Sequence, residues 1–325
     1  PRPIDRKFLV KNRLFSLIKL TVSAGLLVLL FTLFDVGEAW DALRQMRPVY
    51  MVAAFCLFQA TLLLRSVRWK LLLKALSIDV PLGRLLHLYY VGTFFNTFLP
   101  SGFGGDAVKM VELARYSRKS SASIGTVLVD RLTGIIVLFV MGLVAWPFAH
   151  RSLPQRESLI LLAASAGGLL ASWLLFRRRL VAPLLHRLPQ RVAVRLESLY
   201  DAVHTCGTGA LWQAIGVSVA FNLVLFTIHY AVAMALNVQV PLLYFVVFMP
   251  LLSLSMLLPS VGALGTREGA YVLLFGIAGV AEPMAIAMSL SFYILNVLTG
   301  LIGSVLYALE ALVGLRPAGT SRRHN

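Results

Sequence analysis

Residues 85–106 read LLHLYYVGTFFNTFLPSGFGGD, and residues 241–268 read PLLYFVVFMPLLSLSMLLPSVGALGTRE. In both, an apolar helix ends at Leu-Pro-Ser (99–101 and 258–260), a Gly-rich turn comes next, and a charged residue opens a second helix-like piece, over 106–116 or 267–281. The first descending run is too short for an untilted span, which needs about 20 residues, and broken backbone at membrane depth requires cover from protein or water. Each stretch therefore reads as a re-entrant helical hairpin. Leu258 stands 159 positions after Leu99, about half the chain, which makes the pair a candidate internal repeat. Tight connections between ordinary helices are the alternative.

Composition sets the surroundings. Of 325 residues, 58% are hydrophobic and 14% charged, against about 45–50% and about 25% in soluble domains. A soluble fold is excluded. Residues 14–34 form a run of 21 with one internal charge, Lys19. That is enough for a first transmembrane helix, and too long for a signal-peptide core of about 7–15 residues. Further runs at 49–64, 123–149, 158–176, 210–236 and 284–312 bring the count to six. The expected fold class is an all-α polytopic membrane protein: six full transmembrane helices plus two re-entrant helical hairpins in an inverted repeat. Residues 1–325 read as a single membrane domain. Its first half is 14–149 with hairpin 85–116, and its second half is 210–312 with hairpin 241–281. Between them, 177–209 reads as a cytoplasmic basic amphipathic linker, with a solvated linker as the alternative.

Charge placement tests this count. Lys and Arg number five in 1–13, five in 65–84, four in 107–122, six in 177–209 and three in 313–325. Loops 35–48 and 150–157 hold two each, and the connections at 237–240 and 282–283 none. With six spans and two hairpins that return to their own side, every basic-rich segment falls on one face, which the positive-inside rule makes cytoplasmic. Both termini are then inside, and the expected location is the bacterial cytoplasmic (inner) membrane. A variant with two extra short spans in the second half keeps the same parity. The net charge of +16 thus reads as membrane flanks, and no nucleic-acid partner is expected.

Charge at membrane depth costs roughly 3 kcal/mol per residue on insertion scales, so such residues are paired or functional. Asp106, Arg267 and Glu268 stand out at the two turns. Arg267 offers a planar fork to a lipid phosphate, with Asp106 or Glu268 as its partner in the empty site. A structural ion pair locking the hairpins explains the same residues. Gly102, Gly104, Gly105, Gly262 and Gly265 let backbone approach a headgroup, and helix N-termini there would aim N–H groups at an anion. Asp130 and Arg131, adjacent on one helix, point about 100° apart and need separate partners. Asn96, Thr97, Tyr293 and Asn296 line a polar path or make ordinary interhelical bonds. Lys109, Glu112 and Arg115 form a charged strip or a solvated face. His229, alone in mid-span, reads as a packed histidine before a proton relay.

No metalloprotease, nucleophile-elbow, Walker or dinucleotide motif occurs, and neither Cys56 nor Cys206 has metal or disulfide spacing. No catalytic residue, metal or cofactor is expected.

Three motifs carry a family resemblance: FFNTFLPSGFGGDAVKM (94–110), VDRLTGIIVLF (129–139) and LPSVGALGTREGAYVLLF (258–275). In their order and spacing the chain, from about residue 12 to 313, resembles the flippase-like transmembrane family typified by the membrane half of bacterial lysylphosphatidylglycerol synthase, the multiple peptide resistance factor. The resemblance implies a protein that moves an aminoacylated or glycosylated lipid between leaflets, or assists a lipid-modifying enzyme. Its motif positions correspond to Asn96, Pro100, Gly102, Gly104, Gly105, Asp106, Asp130, Arg131, Gly262, Gly265, Arg267 and Glu268. The two-part synthases carry a C-terminal aminoacyltransferase that this sequence lacks, so a stand-alone form is expected.

The reading that unites these features is a lipid flippase or transporter. Its substrate is a membrane phospholipid, aminoacylated lipid or glycolipid, and a lipid-modifying enzyme is the candidate protein partner. An integral membrane transferase using Asp106 or Glu268 as base, and a non-transporting scaffold, are the competing classes.

Overall fold

The computed structural model describes residues 41–98, 104–117, 119–176, 190–255 and 265–312. Besides a helical end at 41–44 and a 3-10 turn at His150–Ser152, nine complete α-helices and no strand lie among the described residues. They are α1 (Pro48–Ala75), α2 (Leu82–Phe98), α3 (Gly104–Ser117), α4 (Ser120–Ala149), α5 (Gln155–Phe176), α6 (Gln190–Ala235), α7 (Leu242–Ser255), α8 (Thr266–Ile277) and α9 (Glu282–Leu312). Five of them, α1, α4, α5, α6 and α9, are long and apolar enough to cross a bilayer. The protein is an all-α polytopic membrane protein. The expected span at 14–34 lies outside the described residues, as do the hairpin turns at 99–103 and 256–264.

Helix α1 begins with Pro48 at its first turn, where the missing N–H costs nothing. Ala54, Phe58, Thr61, Leu62, Trp69, Leu72 and Leu73 lie buried along it at helical spacing. This stripe packs chiefly on α6, which in turn lies on α4. The Arg47 N–H at the start of α1 donates to the Ala235 carbonyl at the end of α6 (2.7 Å), and Arg68 reaches Ser218. The two helices are therefore antiparallel.

Helices α1 and α6 end in nearly the same way. At the end of α1 stands Ala75-Leu76-Ser77-Ile78-Asp79-Val80-Pro81-Leu82, and at the end of α6 Ala235-Leu236-Asn237-Val238-Gln239-Val240-Pro241-Leu242. Ser77 (φ 55°) and Asn237 (φ 57°) are the positive-φ residues other than glycine among the described residues. The hydrogen bonds correspond one for one. Ile78 N–H bonds Leu73 O and Ser77 N–H bonds Lys74 O, while Val238 N–H bonds Ala233 O and Asn237 N–H bonds Met234 O. A left-handed residue that closes the last turn in this way is a helix C-cap, and a proline four residues on starts the next helix in a new direction.

Each cap leads into a pair of shorter helices, α2 with α3 and α7 with α8. Helix α3 folds back along α2, and the crossing is set by glycine: a Cβ at Gly105 would lie 2.0 Å from the Gly92 carbonyl oxygen. Leu76, before α2, and Lys119 to Ala122, after α3, line one shallow depression of about 400 Å³ with Ser198, Asp201 and Thr205. The start of α2 and the end of α3 thus lie at the same end of the bundle. Helix α7 follows the Asn237 cap, near Arg47, and α9 starts three residues past Gly279. Helix α9 then runs toward Arg84, which its Glu310 meets, so the starts of α7 and α9 lie at the opposite end.

Some expected bounds change. Helix α1 extends to Ala75 instead of ending at 64, so Arg65 and Arg68 sit in the span and not on its flank. Helix α8 stops at Ile277, not 281. Residues 190–206 of the expected linker form the first part of α6, which bends at Gly207 (φ 68°). Their apolar side, including Leu199 and Ala202, packs with Leu72 and Val129. Residues 177–189 lie outside the described residues.

Candidate functional site

Three helices bring the first cluster together. Asp130, on α4, accepts from Arg68 Nε of α1 (2.6 Å) and from the Tyr89 hydroxyl of α2 (2.5 Å). Arg68 also donates to Ser218 (2.8 Å), and its guanidinium fills the space left by Gly134. Asp106, in the first turn of α3, pairs with Lys109 (2.7 Å) and with Arg131 of α4 (3.0 Å). Both carboxylates, Arg68 and Lys109 are nearly inaccessible, at 2–5%. Asp130 and Arg131 find separate partners on different sides of their helix, as adjacent residues about 100° apart must.

Tyr89 joins the halves of this cluster. Its ring carries Lys109 Nζ at 4.4 Å and the Arg65 guanidinium at 4.7 Å from its centroid, while its hydroxyl serves Asp130. A ring face attracts cations, and more strongly where water is excluded.

The second cluster is smaller. Arg267 Nη2 pairs with Glu268 Oε1 (2.5 Å), and Ser289 of α9 accepts from Arg267 Nε (2.8 Å) and donates to Glu268 (3.0 Å). Arg267 lies over the Tyr293 ring at 5.0 Å. Nearby, His229 bonds the Tyr271 hydroxyl (2.6 Å) and stacks on Phe292 at 4.2 Å, which is a packed and bonded histidine.

Several expected roles need correction. Of the two expected partners of Arg267, Glu268 pairs with it, while Asp106 is held by Lys109 and Arg131 instead. Two of the backbone donors expected to meet a headgroup are occupied: Gly105 N–H donates to Asn96 Oδ1 (2.8 Å) and Gly265 N–H to Glu268 Oε2 (2.6 Å). Helix starts buried in protein must find acceptors for these groups, and neighbouring side chains supply them. The strip 109, 112, 115 splits. Lys109 is buried, while Glu112 pairs with Arg115 (2.8 Å) and Arg84 (3.6 Å). Thr97 and Asn296 bond carbonyls of their own helices. Gly102 and Gly262 lie outside the described residues; Gly104 opens α3 and is buried.

Arg65, Arg68, Trp69, Tyr89 and Ser289 belong to these clusters and do not stand out in the sequence alone. A signal existed for the arginines: two of them three residues apart, inside a continuous helical stripe that runs past residue 64.

Comparison with known proteins identifies a family of membrane proteins. The family model for the lysylphosphatidylglycerol synthase TM region matches residues 16–303. The chain belongs to this family. A UPF0104 membrane protein of Methanothermobacter thermautotrophicus is 27% identical over 277 residues, covering 77% of this chain and 82% of the relative. A second from the same organism is 23% identical over 341 residues, covering 93% and 96%. One from Pyrococcus horikoshii is 29% identical over 120 residues, covering 36% of each chain. No solved structure matches. As a member of the lysylphosphatidylglycerol synthase TM-region family, the protein is a lipid-related, multi-pass membrane protein. These relatives are archaeal, so they add nothing to the expectation of a bacterial source.

Proposed function

We propose that this protein moves a phospholipid, aminoacylated lipid or glycolipid between the leaflets of the cytoplasmic membrane, through an inverted pair of re-entrant hairpins. The observation that carries the reading is the placement of ion-pair clusters at the starts of α3 and α8, the returning arms of hairpins that begin at opposite ends of the bundle. Discontinuous helices arranged this way build midplane sites in transporters, and buried charge in a membrane marks a transport path by default. Lys70, Lys74, Arg84, Arg115 and Lys119 lie at the end where the first hairpin begins, which supports reading that end as cytoplasmic under the positive-inside rule. Asn96, Asp106, Asp130, Arg131, Arg267 and Glu268, with the glycines at 102, 104, 105, 262 and 265, frame the headgroup path.

A transferase is less well supported. Asp106, Asp130 and Glu268 are each held by a cation, so none is poised as a general base. The test is to reconstitute the purified protein with a panel of labelled lipids, then follow leaflet exchange and product formation together. Exchange without new product supports transport; product without exchange favours the transferase. If neither occurs, the role as a scaffold for a lipid-modifying enzyme gains ground.

A further inference from the structure

The two hairpin clusters differ in charge. The second is closed on itself: one cation, Arg267, and one carboxylate, Glu268, share Ser289. Among the described residues, the first holds four cations, Arg65, Arg68, Lys109 and Arg131, against two carboxylates, Asp106 and Asp130. It therefore carries a formal surplus of two positive charges.

That surplus is placed unevenly. Both carboxylates are buried and fully engaged, whereas the Arg131 side chain is 35% exposed and Arg65 is partly exposed. Among the described residues no carboxylate lies within ion-pair distance of Arg65; its guanidinium rests on Tyr89 and, at 5.9 Å, on Phe221. A second donor without a partner lies close to the cluster. The Trp69 indole N–H is buried and has no acceptor among the described residues. Its ring lies edge-on to Tyr89 and 5.8 Å from Lys109 Nζ. Buried donors are nearly always satisfied, and an indole N–H can only donate. A partly buried arginine with no carboxylate in ion-pair contact calls for an anionic oxygen, and a buried N–H without an acceptor for any oxygen that can accept; a phosphate meets both needs.

We infer that the Arg65–Trp69–Lys109–Arg131 cluster binds a phosphate anion, and that a phospholipid of net negative charge is the preferred substrate. The inference rests on the proposed transport reading for the lipid and on the geometry for the anion. Arginine suits the role because its planar fork stays charged and meets phosphate oxygens in pairs, while its stacking on Tyr89 keeps it oriented. A zwitterionic headgroup brings an extra cation to a site that already has two too many.

The test measures binding, not transport, on the full chain in nanodiscs of neutral carrier lipid. Probes are fluorescent phosphatidylglycerol, phosphatidic acid and phosphatidylcholine, with inorganic phosphate as a soluble competitor. The expected result is about tenfold or greater preference for the two anionic lipids. Arg65→Gln should abolish that preference and Arg65→Lys retain part of it. Equal binding of anionic and zwitterionic lipids overturns the inference, as does wild-type selectivity in folded Arg65→Gln. Should that variant fail to fold, wild-type selectivity and the Arg65→Lys and Arg131→Gln variants decide the matter. Phosphate that binds without any lipid preference assigns the anion site to a soluble ligand and overturns the lipid assignment. Selective lipid binding with no leaflet exchange would sink the transport reading alone.

Discussion

At the scale of single residues, the buried pair Arg68–Asp130 ties α1 to α4 and, through Tyr89, to α2. Removing one partner leaves an uncompensated charge, at a cost of about 3–5 kcal/mol, whereas replacing both with apolar residues of similar volume is often neutral. Arg68→Ala should therefore lower the thermal unfolding midpoint in detergent far more than the double change Arg68→Met with Asp130→Leu. Equal losses would show that the pair is not what joins these helices. Gly105 makes a second point. Its Cβ would overlap the Gly92 backbone, while Gly83 faces open space. Gly105→Ala should cost about 1–3 kcal/mol or more by overpacking, and Gly83→Ala should be neutral or stabilising by up to about 1 kcal/mol. Comparative unfolding curves check both, and a tolerated Gly105→Ala would contradict the close crossing.

The elements show what sequence made legible. The charged residues at the turns, Asp106, Arg267 and Glu268, were visible because ionised groups in apolar runs are rare and conspicuous. So were five of the six expected spans, since hydropathy over about 20 residues is a strong signal. Pairing was not legible. Arg68 reaches across 62 positions to Asp130, and nothing in a one-dimensional pattern distinguishes that partner from Asp106. Arg65 and Arg68 read as flank charges because hydropathy weakens there, although the helix and its buried stripe continue. The caps are hidden for another reason. Ser77 and Asn237 look like ordinary loop residues until their left-handed φ is seen. A β-branched residue resists that conformation, whereas Asn accepts it. Ser77→Val and Asn237→Val should each destabilise by about 1–2 kcal/mol, and Ser77→Asn should be tolerated. Matched effects at both sites, read as unfolding midpoints, are expected of equivalent caps; a tolerated valine at either one would contradict the shared geometry.

For the whole molecule, the arrangement of ends is the first test. Single cysteines placed at Ser77, Ser121 and Thr205, in a background without Cys56 and Cys206, should react with a membrane-impermeant reagent from one side. Cysteines at Arg151 and Asn237 should react from the other. Labelling of Ser77 and Ser121 from opposite sides would mean that α2 and α3 cross the membrane and do not return within it. Beyond topology, the proposed transport role requires that the charges at the hairpin starts serve passage of a headgroup and not stability alone. The most direct measurement is the leaflet-exchange rate of a labelled anionic phospholipid in liposomes that contain equal amounts of correctly inserted wild type or Asp106→Asn. Exchange above that of protein-free liposomes is expected for the wild type, with a loss of about tenfold or more in the variant. Wild-type exchange by a folded Asp106→Asn protein, or no exchange by either, would refute the transport role of these charges.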